Sequence, residues 1–198
     1  MTNVTPPSPA FSVDGDVSRA SPDGVARRYA ELTAMVSAVE LRPVADPAAT
    51  ARATLLLARE ARRLDGGAFD DWLDWWTDDG VLWVPNGSPV DPAIDQSLLL
   101  DDRRRIGERI AWRRDPSAWG QHPLSTTVRV LGPVEAWVDA DRTVVRSALV
   151  VHEQRRGRTE TLVGHQVHEL VGADLRCRSK VLIFPQLALG VRNPSFLL

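Results

Sequence analysis

From about Asp46 the apolar residues of this chain mostly recur every three or four positions, and after Ser125 every second position. No other feature constrains the fold as tightly. Residues 126–138, 143–153, 159–171 and 176–184 read as strands; in the second, Val145, Leu149 and Val151 alternate with Arg146 and His152. Period two puts one set of side chains on one face of a strand. The polar connections at 139–142, 154–158 and 172–175 are short, so neighbouring strands must run antiparallel. Gly132-Pro133 falls inside the first strand and predicts a bulge that bends it, because proline has no N–H for the ladder.

The first half has helical spacing. Residues 49–64 are strong helix formers, with Asp46 or Thr50 placed to cap the start and Asp65-Gly66-Gly67 to end it. A second helix is expected over 68–77, where Phe69, Trp72, Leu73, Trp75 and Trp76 make an apolar face before Asp78-Asp79-Gly80. Residues 81–84 read as a short strand stopped by Pro85, and 86–92 as a loop. A third helix is expected over 101–113, with Ile106 and Ile110 inward and Asp102 placed to cap its first turn. Helices followed by an antiparallel meander define an α+β fold, with a strongly bent sheet wrapped around the N-terminal helices as a cone. Residues 1–45 are rich in Pro, Ser and Ala. They read as a largely disordered or loosely docked extension, with room for one short helix over 25–41, ahead of a domain at 46–198.

Composition removes several function classes. Cys177 is the only cysteine, so neither an intrachain disulfide nor a cysteine zinc site is available. A Rieske cluster takes two Cys and two His from one chain, which this chain cannot supply. A net charge of −2 gives no field to recruit nucleic acid or an anionic membrane. No apolar run approaches the ~20 residues of a membrane span. The first residues have neither a basic nor an apolar signal region, so a cytoplasmic location is expected.

His165 and His168 are three apart on a strand, which sends them to opposite faces and denies them a shared ion. His122 and His152 belong to other segments. Asp70, Asp71, Asp74, Asp78 and Asp79 lie opposite the aromatic face or at a turn, as a solvated surface would. The seven tryptophans serve either a ligand pocket or core and interface anchoring. Trp75 and Trp76 are consecutive, so one ring faces the core and the other faces something else.

Several segments carry a resemblance. Glu60-Ala61-Arg62-Arg63-Leu64-Asp65 closes a helix, the Trp72–Trp76 cluster leads to Asp78-Asp79, and Trp83-Val84-Pro85 follows. Asp101-Asp102-Arg103 then opens a helix continued by Ile106, Arg109 and Ile110. Leu162-Val163-Gly164, residues 175–185 and Asn193-Pro194-Ser195-Phe196-Leu197 extend the likeness more loosely, over roughly residues 50–198. In this pattern the chain resembles the small (beta) subunit of bacterial aromatic-ring-hydroxylating dioxygenases. It departs at Gln121-His122-Pro123, His168, Leu175 and Pro185, where that family commonly has other residues.

The resemblance implies a cystatin-like (NTF2-like) cone and a non-catalytic, structural role. It implies assembly with other small subunits as a trimer and with a large subunit, three of each. The large subunit would hold the Rieske cluster and the mononuclear iron, with no cofactor in this chain. Arg103, Arg104, Arg105 and Arg109 exceed what one helix needs for local pairing. With Asp101, Asp102, Trp76 and Trp119 they form the candidate subunit interface. A different class of function stays open: a standalone dehydratase, isomerase or hydrolase using the cone mouth, with Asp65, Asp102 and His165 as candidate pocket residues.

Overall fold

The computed structural model describes residues 22–39, 42, 44–87, 91–118 and 122–190. Helices α1 (Pro22–Val39), α2 (Pro47–Asp65) and α3 (Phe69–Leu73) come first. Strands β1 (Trp76–Pro85) and β2 (Ser97–Asp102) and helix α4 (Arg103–Arg114) follow. Strands β3 (Thr126–Asp139), β4 (Arg142–Arg155), β5 (Arg158–Val171) and β6 (Arg176–Ile183) complete the sheet, and a short 3-10 helix, Pro185–Leu189, follows it. The sheet order is β2-β1-β6-β5-β4-β3. Every pairing is antiparallel except β1 with β6, which is parallel.

Asp46 caps α2 by accepting from the Ala49 N–H at 2.7 Å. Thr50 instead holds the Ala136 N–H of β3 at 3.1 Å. The register of β3 on β4 shifts between Leu131 and Val134, the bulge expected from Gly132-Pro133. Adjacent residues in the strands divide between two cores. Leu82, Val145 and Leu182 face Leu57, Leu64, Trp72 and Ile106 inside the bend of the sheet. Trp83, Val144 and Val181 face outward onto Leu32, Met35 and Val39 of α1.

Helix α1 lies within the stretch read as a loosely docked extension, yet it packs as tightly as the core: Leu32 is fully buried. Its Arg28 donates to Glu169 at 3.2 Å, to the Arg178 carbonyl at 3.1 Å and to Ser179. Residues 1–21 lie outside the described residues.

Two expectations are corrected. The tryptophan-rich helix ends at Leu73, and Trp76 opens a ten-residue strand instead of continuing the helix to Thr77. The cause is non-local: Trp76 pairs with Cys177 across the parallel ladder. Asp78-Asp79-Gly80 is therefore not a helix stop but an irregularity in β1, whose register on β6 shifts between Trp76 and Val81. Glycine is needed there, because a Cβ on residue 80 would lie 2.8 Å from the Trp76 ring and 2.9 Å from the Thr77 carbonyl. The second correction is β2: residues 97–102, including Asp101, form an edge strand, and α4 begins only at Arg103.

Candidate functional site

The inner face of the sheet carries a buried polar cluster. Helix α2 turns Ala53, Leu57, Glu60, Ala61 and Leu64 inward, so Glu60 occupies a core phase of the helix. On β5 and β6, His168 and Lys180 share the inward phase of Leu170 and Leu182. The three side chains meet. Glu60 Oε1 accepts from Lys180 Nζ at 2.6 Å and from Trp72 Nε1 at 3.0 Å. His168 Nε2 lies 3.1 Å from Glu60 Oε2. None of the three is more than 3% exposed.

Burial opposes the charge on Glu60, but the neighbouring Lys180 and His168 outweigh it and hold the carboxyl far below the usual range. For His168, burial dominates over the attraction of Glu60 and pushes the imidazole down, so it is neutral at neutral pH. The neutral ring then donates through Nε2, and its Nδ1 has no hydrogen-bond partner among the described residues. Glu60 also forms part of the wall of an open cavity of about 270 Å³, with Leu56, Arg59, Arg63, Trp75 and Arg176. Its carboxylate is fully engaged by Lys180, Trp72 and His168. Lys180 and His168 do not line the cavity.

Sequence reasoning missed Glu60 and Lys180. A signal existed: both fall in apolar phase, and Lys180 is the only lysine. His165 and His168 do take opposite faces, one exposed and one buried.

The sequence-derived pocket residues do not converge. Asp65 joins α2 to β3 by accepting from Thr127 Oγ1 at 2.9 Å, the Arg129 N–H at 2.8 Å and Arg129 Nη1 at 2.5 Å. Asp102 caps α4 through the Arg105 N–H at 2.7 Å. His165 is exposed on the outer face of β5. Among the described residues no two of them share a hydrogen bond, and neither the 270 Å³ cavity nor the groove beside α4 is lined by two of them.

The arginine helix does form one cluster. Asp101 is 1% exposed and is held by Arg109, through Nε and through Nη2 at 3.3 Å. Arg104 pairs with Glu108 on the same helix. Arg103 comes only within 4.0 Å of Asp74, and Arg105 is exposed. Asp101, Asp102, Arg103, Arg104 and Arg105 share a groove of about 850 Å³ with Arg28 of α1. Trp76 does not belong to this surface; it is fully buried under Trp72, with ring centroids 5.4 Å apart. The exposed tryptophan on α4 is Trp112, at 67%, and sequence reasoning did not select it. Trp119 lies outside the described residues.

A Rieske cluster or mononuclear iron does not fit these residues. The Cys177 thiol is buried, and burial pushes it well up. Among the described residues no three His, Cys, Asp or Glu side chains are grouped to hold a metal. No described helix is long and apolar enough to cross a membrane.

Comparison with known proteins places this architecture. The small oxygenase component of the naphthalene 1,2-dioxygenase system of Pseudomonas aeruginosa is 30% identical over 122 residues, 57% of this chain. The chain spans 63% of that relative's length. The small oxygenase component of the p-cumate 2,3-dioxygenase system of Pseudomonas putida is 29% identical, over 62% of this chain and 71% of that protein. Among solved structures, naphthalene 1,2-dioxygenase with indole bound shares the fold at a TM-score of 0.70 and 20% identity, covering 86% of this chain and 98% of that one. The beta subunit of benzoate 1,2-dioxygenase from Burkholderia mallei superposes with a TM-score of 0.58 at 24% identity, covering 72% and 93%. The family model described as ring hydroxylating beta subunit matches residues 59–180, a span that includes Glu60, His168 and Lys180 and more than half of the chain, and the chain belongs to that family.

Proposed function

We propose that this chain is the structural small subunit of an aromatic-ring-hydroxylating dioxygenase that acts in aromatic compound catabolism in the cytoplasm. The Rieske cluster and mononuclear iron sit in a large partner subunit, and three large and three small subunits make the complex. The small subunit carries no step of the chemistry. It supplies a rigid body on which the iron-bearing subunits are held in register.

One observation carries this reading beyond family membership. Apart from His168 Nδ1, the polar cluster inside the cone is closed on itself among the described residues. A general acid or base must reach the proton it moves. Of Glu60, His168 and Lys180, only Glu60 reaches the cavity, and its oxygens are taken by three donors. That is how a buried charge is neutralised in a core, and it argues against a standalone enzyme using this mouth.

Co-expression with a Rieske-type large subunit from the same genome tests the proposal. The expected product is a mixed complex whose turnover depends on the small subunit for assembly. An active small chain without the large one, or a large subunit fully assembled and active without this chain, would overturn it.

A further inference from the structure

The two edges of the sheet are finished differently. An edge strand presents unpaired N–H and C=O groups, and proteins normally cover or disrupt them. Strand β3 is covered. Asp65 takes the Arg129 N–H at 2.8 Å, Thr50 Oγ1 takes the Ala136 N–H at 3.1 Å, and the Asp46 N–H donates to the Ala136 carbonyl at 2.9 Å. The bulge at Gly132-Pro133 interrupts the rest. Strand β2, the opposite edge, pairs only with β1. Among the described residues, nothing outside that ladder bonds to the backbone of residues 97–101. Every second residue of an antiparallel edge strand points its N–H and C=O away from its partner.

This open edge runs into the groove lined by Leu100, Asp101 and Asp102 of β2, by α1 and by the start of α4. The groove has donors to spare. Its carboxylates are largely engaged: Asp101 by Arg109, Asp79 by Arg178, Glu31 by Arg28, and Asp102 by the first turn of α4. Arg28 Nε and Arg103 Nε are buried without a hydrogen-bond partner among the described residues. The Arg27 and Arg105 side chains also line the groove, and no ion pair among the described residues includes either. Arg28 is already engaged by Glu31 and Glu169, so the donors open to the groove are Arg27, Arg105 and the half-exposed end of Arg103, and Asp78 stands against them.

We propose that β2 is a docking edge for an extended, acidic segment of the large subunit, which adds to the sheet as a further strand and lays its carboxylates on Arg27, Arg103 and Arg105. Backbone pairing supplies the affinity and alternate side chains the specificity, as in other strand additions. The match is one of charge and of hydrogen-bond sense, since the groove offers donors and an acidic strand brings acceptors. This rests on the small-subunit reading above.

Amide-resolved hydrogen exchange on the co-expressed complex tests it, with the isolated small subunit as reference. In the complex, alternate amides within residues 97–102 slow by about tenfold or more, while those of β3 do not change. The double variant Arg103→Glu, Arg105→Glu raises the Kd for the large subunit by about tenfold or more and abolishes that protection, with the small subunit's melting temperature unchanged. A complex that forms with residues 97–102 exchanging as freely as before overturns the docking edge and leaves the small-subunit reading standing. The same protection on self-association of the small subunit alone assigns the edge to a second copy, and also overturns it. Failure of the large subunit to bind under any condition refutes the small-subunit reading itself, and the docking edge with it.

Discussion

Removing Lys180 from the closed cluster gives the sharpest perturbation. Lys180→Met keeps the length of the side chain and deletes the charge, leaving Glu60 buried with only Trp72 Nε1 at 3.0 Å and His168 Nε2 at 3.1 Å. Breaking a buried pair by deleting one partner typically costs about 3–5 kcal/mol. The variant also weakens the response of stability to pH. In the parent, His168 is held below its ordinary value of 6.5, with burial as the main cause. The unfolded chain therefore takes up this proton first on acidification, and His168 makes stability fall as pH drops below about 6.5. In Lys180→Met the repulsion from Lys180 is gone and Glu60 is left as an unbalanced anion beside the ring, so the folded-state value of His168 moves up toward the unfolded one and its destabilising effect on the acid side shrinks. Urea unfolding at about pH 5.5 and pH 8 measures both effects. The parent is more stable at pH 8 than at pH 5.5, and the variant shows a smaller difference. The double variant Glu60→Gln, Lys180→Met loses less than the sum of the two single changes, because no buried charge is left behind. Parallel pH dependence in parent and Lys180→Met, or strict additivity in the double variant, would refute the reasoning.

Three further outcomes follow from the same geometry. Gly164→Ala on β5 places a Cβ on the backbone carbonyl of Ile183, and denaturant melts should show a loss of about 1–3 kcal/mol or more, since backbone cannot move aside as a side chain does. Asp102→Ala removes the cap on the Arg105 N–H and should lower stability by about 1 kcal/mol; a loss several times larger would mean that Asp102 does more than cap. In the assembled oxygenase, Asp65→Asn and His165→Gln should leave turnover per iron site within about tenfold of the parent, against the ~10²–10⁴ expected from losing a general acid or base. A thousandfold drop in a fully assembled His165→Gln complex would place chemistry in this subunit.

The second half of the chain was legible because its pattern is long and local. Strands β3 to β6 fall within a few residues of the alternating runs, and the bulge lies where Gly132-Pro133 puts it. Residues 81–84 were read as a strand, but the first half of β1 and the whole of β2 were hidden for a physical reason. Trp76 reads as helical by spacing and becomes a strand residue only through a parallel partner about a hundred positions later, Cys177. The run at residues 98–100 is too short for its period to separate strand from helix. The buried cluster was hidden because a Glu on a helix, a His on one strand and a Lys on another each pass singly for surface residues. Only the bend of the sheet brings Glu60, His168 and Lys180 to one point. The arginine helix was visible as a cluster, but which of its guanidiniums are satisfied locally, as Arg104 and Arg109 are, depends on β2, which the sequence pattern concealed.

Native mass spectrometry of the co-expressed large and small subunits, with iron quantified for the complex and for each chain after separation, tests the central claim most directly. The account predicts a mixed complex with equal numbers of the two chains, iron confined to the large chain, and an isolated small chain that binds none. Stoichiometric iron in the purified small chain, or a small chain that never enters a complex with the large one, would contradict it.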